Sequence, residues 1–586
     1  MDGGRRRVTL APQSPTIPPA AAGIPVAPGG HGGSWTGGGV RRTGGQWAWV
    51  AAAVVPVAFL TVFFAWPVAA LVGRGFVVDQ TFTLAGVQEV LSAPRTWRVV
   101  GQTLAQAVVG TAVAVLLGVP GAYVLYRCRF PGRRLVRAVV SVPFVLPTVV
   151  VGVAFQSLLA PKGLLGFLGL QESFVAIVAA LVFFNYSVVV RTVGALWARL
   201  DPRAEDAART LGAGRARVLA TVTLPALAPA IASAAALVFL FCASAFGVVL
   251  VLGGSGYGTI ETEIWYQTTQ LLDLPAAAAL SVLQLVVVTV SLLAAGATRA
   301  RQERALRLSG NPVDAPLRSR DLPAMALTAV VVLGLLVFPM ASLAWRSFVT
   351  PDGPGPGNYA ALSGTTGQST VSVWQALSNS LAAALAATVL SVGLGLLVSY
   401  VLSRRPASAS GRRWLRGLDA VFMLPLGVSA VTVGFGFLIT LNRPPLDLRS
   451  SWLLIPIAQA MVALPLVVRT LLPTLRAIDP RLHEAAATLG ASPARVVATI
   501  DLPFALRGLG LAVGFAFATS LGEFGATSFL ARPDRPTLPV VIFQLIGRPG
   551  VENFGMALAA SVVLAALTAV AMGLAEWIGP KEVDPW

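Results

Sequence analysis

The sequence predicts an all-α integral membrane protein of about twelve transmembrane helices, arranged as two parallel repeats of six. Three observations carry that expectation. Hydrophobic residues fill 55% of the 586 positions and charged residues only 12%, about half their share in soluble domains. Apolar stretches long enough to cross a bilayer alternate with short arginine clusters. One stretch also occurs twice, each position of the second copy lying 278 residues after its partner, as Asp479 lies after Asp201. A repeat of that length is a duplicated domain; solenoid units repeat every 20 to 50 residues or so.

The net charge of +18 comes almost wholly from arginine, since Lys162 and Lys581 are the only lysines. These arginines sit in short runs between apolar spans, so they read as topology determinants, and a nucleic-acid partner is excluded. Cys128 and Cys242 are the only cysteines, one in a basic loop and one inside a span, which argues against a disulfide or a cysteine metal site.

Residues 1–46 are rich in Gly, Pro, Ala and Arg without apolar periodicity and read as a disordered cytoplasmic tail. A first domain follows over 47–310. Its first apolar run, Trp47 to Val72, is too long for a cleaved signal and reads as a retained span. Arg5, Arg6, Arg7, Arg41 and Arg42 place the N-terminus inside. Further spans are expected near 98–126, 138–160, 172–190, 226–252 and 276–298. A linker over 311–322 leads to a second domain, 323–586, with spans near 323–345, 377–402, 417–440, 452–468, 506–530 and 554–577. An even number of spans per half makes the repeats parallel and puts both termini in the cytoplasm. The constant shift also relates Leu146-Pro147 to Leu424-Pro425, Arg191 to Arg469, and Phe246-Gly247 to Phe524-Gly525.

The duplicated stretch runs from Asp201-Pro202 to Leu224-Pro225, and again from Asp479-Pro480 to Leu502-Pro503. Asp is a good N-cap and Pro fits the first helical position, so a short helix should start at each copy. Acidic residues at 205, 206 and 484 suit its positive end. Gly212 and Gly490 should end it, because glycine adopts the left-handed C′ conformation without a Cβ clash. A second short helix is expected next, broken by Leu224-Pro225 or Leu502-Pro503 before a long apolar run. Ala207-Ala208 and Ala485-Ala486 keep one face thin, so that another protein could approach the backbone; the bland alternative is a capped connector.

The second copy, with Glu484-Ala485-Ala486, Gly490, Ile500 and Leu502-Pro503, resembles the EAA loop of binding-protein-dependent ABC importer permeases, E-A-A-x3-G-x9-I-x-L-P. It matches at every fixed position; the first copy departs at Asp206 and Val222. The resemblance implies a type I ABC importer permease fold in a bacterial inner membrane. It implies that Asp206, Ala207, Ala208, Gly212, Leu224 and Pro225, with Glu484, Ala485, Ala486, Gly490, Leu502 and Pro503, form docking loops for two copies of an ATPase subunit. An extracytoplasmic binding protein would deliver the solute. Segments running from Gly253 to Gln267 and from Arg532 to Gln544, aligned at Thr259 and Thr537, look most like those of fused permeases for thiamine and for ferric iron. Thiamine ranks first, ferric iron is the alternative, and an ion-coupled secondary transporter is a more distant one.

No G-x-x-x-x-G-K-[ST] stretch occurs, so ATP must be used by the partner and no cofactor is expected on this chain. His31 and His483 are the only histidines, which leaves no catalytic triad and no histidine metal site. Within spans, Glu523 is the clearest ionisable residue, read either as a pathway carboxylate or as a structural hydrogen bond across the bundle. Asn185 and Tyr186 are weaker candidates for the translocation path.

Overall fold

The computed structural model describes residues 53–78, 81–82, 85–254, 256–302, 315–364, 371–404, 408–443 and 446–578. The expected tail, the start of the first span and residues 311–314 of the linker lie outside them. Among the described residues nine helices are long and apolar enough to cross a membrane, and three bent pairs bring the total to twelve.

The first half comprises α1 (Ala53–Phe76), α2 (Pro94–Arg127), the bent pair α3 (Arg133–Val145) and α4 (Thr148–Leu159), and α5 (Phe174–Trp197). There follow the loop helix α6 (Arg203–Thr210), the long α7 (Arg215–Ala243), the short α8 (Gly247–Leu252) and α9 (Ile260–Thr269), and α10 (Leu274–Gln302). The second half repeats this order. It has α11 (Ser319–Arg346), α12 (Val373–Ser403), the pair α13 (Ala409–Pro425) and α14 (Ala430–Thr440), and α15 (Leu454–Arg476). It continues with α16 (Pro480–Thr488), the pair α17 (Ala494–Leu506) and α18 (Gly508–Leu521), α19 (Thr527–Leu530), α20 (Leu538–Ile546) and α21 (Val551–Ile578). With each pair counted as one span, six crossings separate α6 from α16, so both loop helices lie on one face of the membrane.

Three expectations are corrected. The segments 138–160 and 417–440 are not single spans: α3 meets α4 at 105°, and α13 meets α14 at 87°. Leu146 is extended, with ψ of 141°, because the residue before proline is driven out of the helical region. In the second half Val428 is extended, and the Ser429 hydroxyl accepts the Val431 N–H to start α14.

The segments 226–252 and 506–530 do not run through either. The helices stop at Ala243 and Leu521, and α8 and α19 form only after a turn. Glycines at these turns allow close crossings. A Cβ on Gly247 would lie 2.5 Å from Thr148 Oγ1, and one on Gly522 would lie 3.0 Å from Pro147 of the other half.

Leu224-Pro225 and Leu502-Pro503, finally, do not break the second loop helix. Leu219–Thr223 and Val497–Asp501 each form a single π-turn just before the proline, and helix continues across it. The widened hydrogen-bond register accommodates a residue that has no N–H to donate.

Each half sends its first span onto the bent third span of the other. The α1 helix lies against α14, where a Cβ on Gly436 would come 3.2 Å from Pro67 and the Phe63 and Phe437 rings are 6.3 Å apart. The α11 helix lies against α4, and Arg346 donates to the Ser157 carbonyl. Within a half, α2 and α5 approach through glycine: Gly118 faces Val189, and Gly121 faces the Tyr186 hydroxyl, where a Cβ would sit 2.2 Å away.

Gly121→Leu should therefore lower the thermal midpoint of the detergent-solubilised protein, by a loss on the order of 1–3 kcal/mol from overpacking. Gly101→Ala, whose Cβ meets nothing within 4 Å, should leave it unchanged or slightly raised. Equal midpoints for the two variants would contradict this packing.

Candidate functional site

Two structures stand out, the paired loops on one face and a cavity between the halves. Both loop helices end in the same way. The N–H of Ala213 bonds to the carbonyl of Ala208 and that of Gly212 to Arg209; in the second copy Ala491 bonds to Ala486 and Gly490 to Ala487. This is a Schellman ending, and its left-handed residue is glycine in both copies, with φ of +81° at Gly212 and +72° at Gly490. The starts differ slightly. Asp479 is the N-cap with Pro480 first in the helix, whereas α6 begins at Arg203, whose N–H is accepted by Asp201.

The turn lifts one leucine per loop into the open: Leu211 is 88% exposed and Leu489 87%. These two are partners under the 278-residue shift. Around them Ala207, Ala485, Asp206 and Glu484 are exposed, and a Cβ on either glycine would meet nothing. The Leu-Pro pairs follow directly after the π-turns.

Each loop is tied to the helix that follows it, by different chemistry at the same positions. In the first copy Thr223 donates to Glu205 at 2.9 Å, and Arg209 and Arg127 lie 3.2 and 3.9 Å from the same carboxylate. In the second copy the counterparts are His483 and Asp501, 2.7 Å apart, with Arg404 3.4 Å from Asp501.

The cavity, about 340 Å³, lies where α3, α4, α5, α7 and α8 meet α13, α14, α15, α18 and the turn after α18. Leu146-Pro147 and Pro425 border it, as do Phe246-Gly247 and Phe524-Gly525, so both repeats contribute the same turns. Phe246 stacks on Phe524, with ring centroids 5.5 Å apart and planes 16° from parallel. Trp265 of α9 and Phe543 of α20 pack edge to face 5.8 Å apart, and each packs against one ring of this pair. All four are partners under the repeat, so an aromatic quartet with twofold character roofs the cavity.

Glu523 and Asn185 both line the cavity. The Glu523 carboxylate accepts the N–H groups of Ala526 at 2.7 Å and Thr527 at 3.0 Å, so its hydrogen bonds serve the turn into α19 and do not cross the bundle. Asn185 donates to Leu181 of its own helix and faces Cys242. Tyr186 is placed elsewhere: it is fully buried, with its hydroxyl against Gly121 of α2, and it does not line the cavity.

One buried carboxylate escaped the sequence reading as a site. Glu261 of α9 has no exposure, accepts from Gln284 at 2.9 Å and, across the halves, from the Ser429 hydroxyl at 2.5 Å. Its partner under the repeat is Pro539, so the link exists once. In sequence it sits among polar residues of a connector, and only the folding of α9 back into the bundle distinguishes it from a surface glutamate.

Comparison with known proteins fits this architecture. The family model described as binding-protein-dependent transport system inner membrane component matches twice, over residues 110–304 and 391–583. The chain is 27% identical over 496 residues to the thiamine transport system permease protein ThiP of Brucella abortus (strain 2308), covering 81% of this chain and 87% of that protein. It is 29% identical over 465 residues to the protein of the same name from Escherichia coli (strain K12), covering 77% and 84%. A crystal structure of a bacterial ABC transporter involved in import of the acidic polysaccharide alginate aligns with 44% of this chain and 97% of its own, at 17% identity and a TM-score of 0.39. Two matched domains on one polypeptide, built as two parallel bundles around a shared cavity, make this chain a member of the binding-protein-dependent ABC importer permeases, in fused form.

Proposed function

We propose that this chain is the membrane conduit of an ATP-driven thiamine importer, with one ATPase subunit seated on each loop and a binding protein delivering thiamine to the opposite face. The observation that carries the docking reading is the pair of leucines, Leu211 and Leu489, held open at equivalent points of two rigid turns. An exposed leucine on a glycine turn has no packing role within its own chain, and burying it in a partner's groove removes apolar area from water. The carboxylates of Asp206 and Glu484 sit beside these turns. ATP binding would draw the two subunits together, and the loops, tied to α7 and α17 through Thr223 and Asp501, would transmit that motion to the spans lining the cavity.

Thiamine is favoured because the relatives named for thiamine transport align over about four fifths of this chain, which spans both halves. In this reading the loop face is cytoplasmic, as the arginine clusters flanking it require.

Leu211→Glu and Leu489→Glu should each weaken co-purification of the ATPase subunit by about tenfold or more, and together abolish it, while insertion of the permease stays normal. Full ATPase association and uptake in the double variant would overturn the docking assignment. In a strain lacking the permease, the chain should restore uptake of radiolabelled thiamine and not of ferric iron; the reverse result would make it the iron permease.

A further inference from the structure

The two halves face the cavity with unequal chemistry. At three lining positions related by the repeat, the first half supplies Phe184, Phe241 and Ala245 where the second supplies Val462, Thr519 and Glu523. Phe144 extends the first wall, 6.3 Å from Phe241, whereas its counterpart Phe422 is buried away from the space. At these differing pairs the first half supplies the rings and the second a hydroxyl and a carboxylate, while Thr148, Asn185 and Ser244 on the first side and Ser429 on the second add polar atoms to both walls. Among the described residues no lysine, arginine or histidine lines the cavity, and Glu523 is the one ionisable group there.

That distribution selects among solutes by desolvation. An anion entering the cavity would give up its water, meet no positive side chain and face a carboxylate, at a cost that low-dielectric surroundings amplify. A flat cation, in contrast, can lay its ring on phenylalanine faces, which attract both aromatic edges and positive charge, while its charge lies toward Glu523. The volume is at the small end of the roughly 300–1,000 Å³ usual for small-molecule sites.

We propose that this cavity is a transient binding site for an aromatic organic cation, with Phe184 and Phe241 taking the ring and Glu523 the charge. The proposal rests on the importer reading above and assigns its selectivity to one asymmetric chamber, in addition to the binding protein. The aromatic roof of Phe246 and Phe524 then separates the bound cation from the delivery face until the halves move.

The test uses the full chain in complex with its ATPase, in nanodiscs, with Cys128 and Cys242 replaced by alanine and a reporter thiol introduced as Thr519→Cys; Ser244→Cys on the other wall is the second reporter. Alkylation of the reporter is followed with thiamine, benzyltrimethylammonium, choline or benzoate present. Thiamine and benzyltrimethylammonium should slow alkylation about threefold or more at millimolar concentration, the range of weak transient sites; choline, which has the charge without the ring, should protect clearly less, and benzoate not at all. Phe184→Ala with Phe241→Ala should remove the protection by both aromatic cations. Glu523→Gln should weaken it and let benzoate protect, an exchange of charge preference that a purely structural role in the α19 turn would not produce. Protection by benzoate or choline equal to that by thiamine in the unmutated cavity would overturn the proposal, as would no protection by any probe at either reporter. If benzyltrimethylammonium protects but radiolabelled thiamine is not taken up, the chamber stands and the thiamine assignment falls; if thiamine is taken up without protecting, the reverse holds.

Discussion

Phe246 lies flat on Phe524, its own image 278 residues along the chain, and the rest of the architecture is arranged around that contact. Two phenyl rings can meet face to face across a pseudo-twofold axis only if both fifth spans stop short and turn there. Gly247 and Gly525, next to the rings, let the turned backbones press onto Thr148 and Ala430 at the starts of the bent third spans. Trp265 and Phe543 then close the flanks. The consequence is a chamber sealed by aromatic packing on one side of the membrane and bounded by helices that lead to the loops on the other. Such a seal is non-directional, so it can part and re-form without leaving polar groups unpaired in the bilayer.

Around that symmetric centre the halves have diverged. The loops have kept the same glycine turn and the same exposed leucine. The ties beneath them have changed from Glu205 and Thr223 to His483 and Asp501, conserving a polar link while exchanging which end carries the acid. The chamber walls have diverged further, and so has the interface: Glu261 reaches Ser429 across the halves, with Pro539 and Val151 at the mirrored positions. The duplicated scaffold thus keeps its loop turns alike and differs at the chamber walls and the interface between the halves.

Much of this was legible in the chain. Arginine clusters and apolar runs gave the span count, and the loop glycines take the left-handed conformation that their place after an apolar-poor helix requires. The breaks were not legible. Hydropathy integrates over a window, so α7 and α8 read as one apolar run although the chain turns between them at Ser244. Single-residue preference makes Pro225 and Pro503 helix breakers because it assumes an α-register, and the π-turns supply another. The exchange of first spans between halves, and the burial of Glu261, depend on contacts between residues hundreds of positions apart, which no local pattern encodes. Tyr186 was drawn toward the pathway by adjacency to Asn185, yet neighbours on a helix point about 100° apart, and only one of them faces the cavity. Membership in the importer family also removes the ion-coupled alternative, since these permeases work with a binding protein.

The account depends on both loops facing the same compartment. Single cysteines placed at Leu211 and at Leu489, in vesicles of known orientation, can be probed with a membrane-impermeant thiol reagent. Both should label in inside-out vesicles and neither in right-side-out ones. Labelling of the two positions from opposite sides would mean the repeats are inverted, and no pair of ATPase subunits could then engage them together.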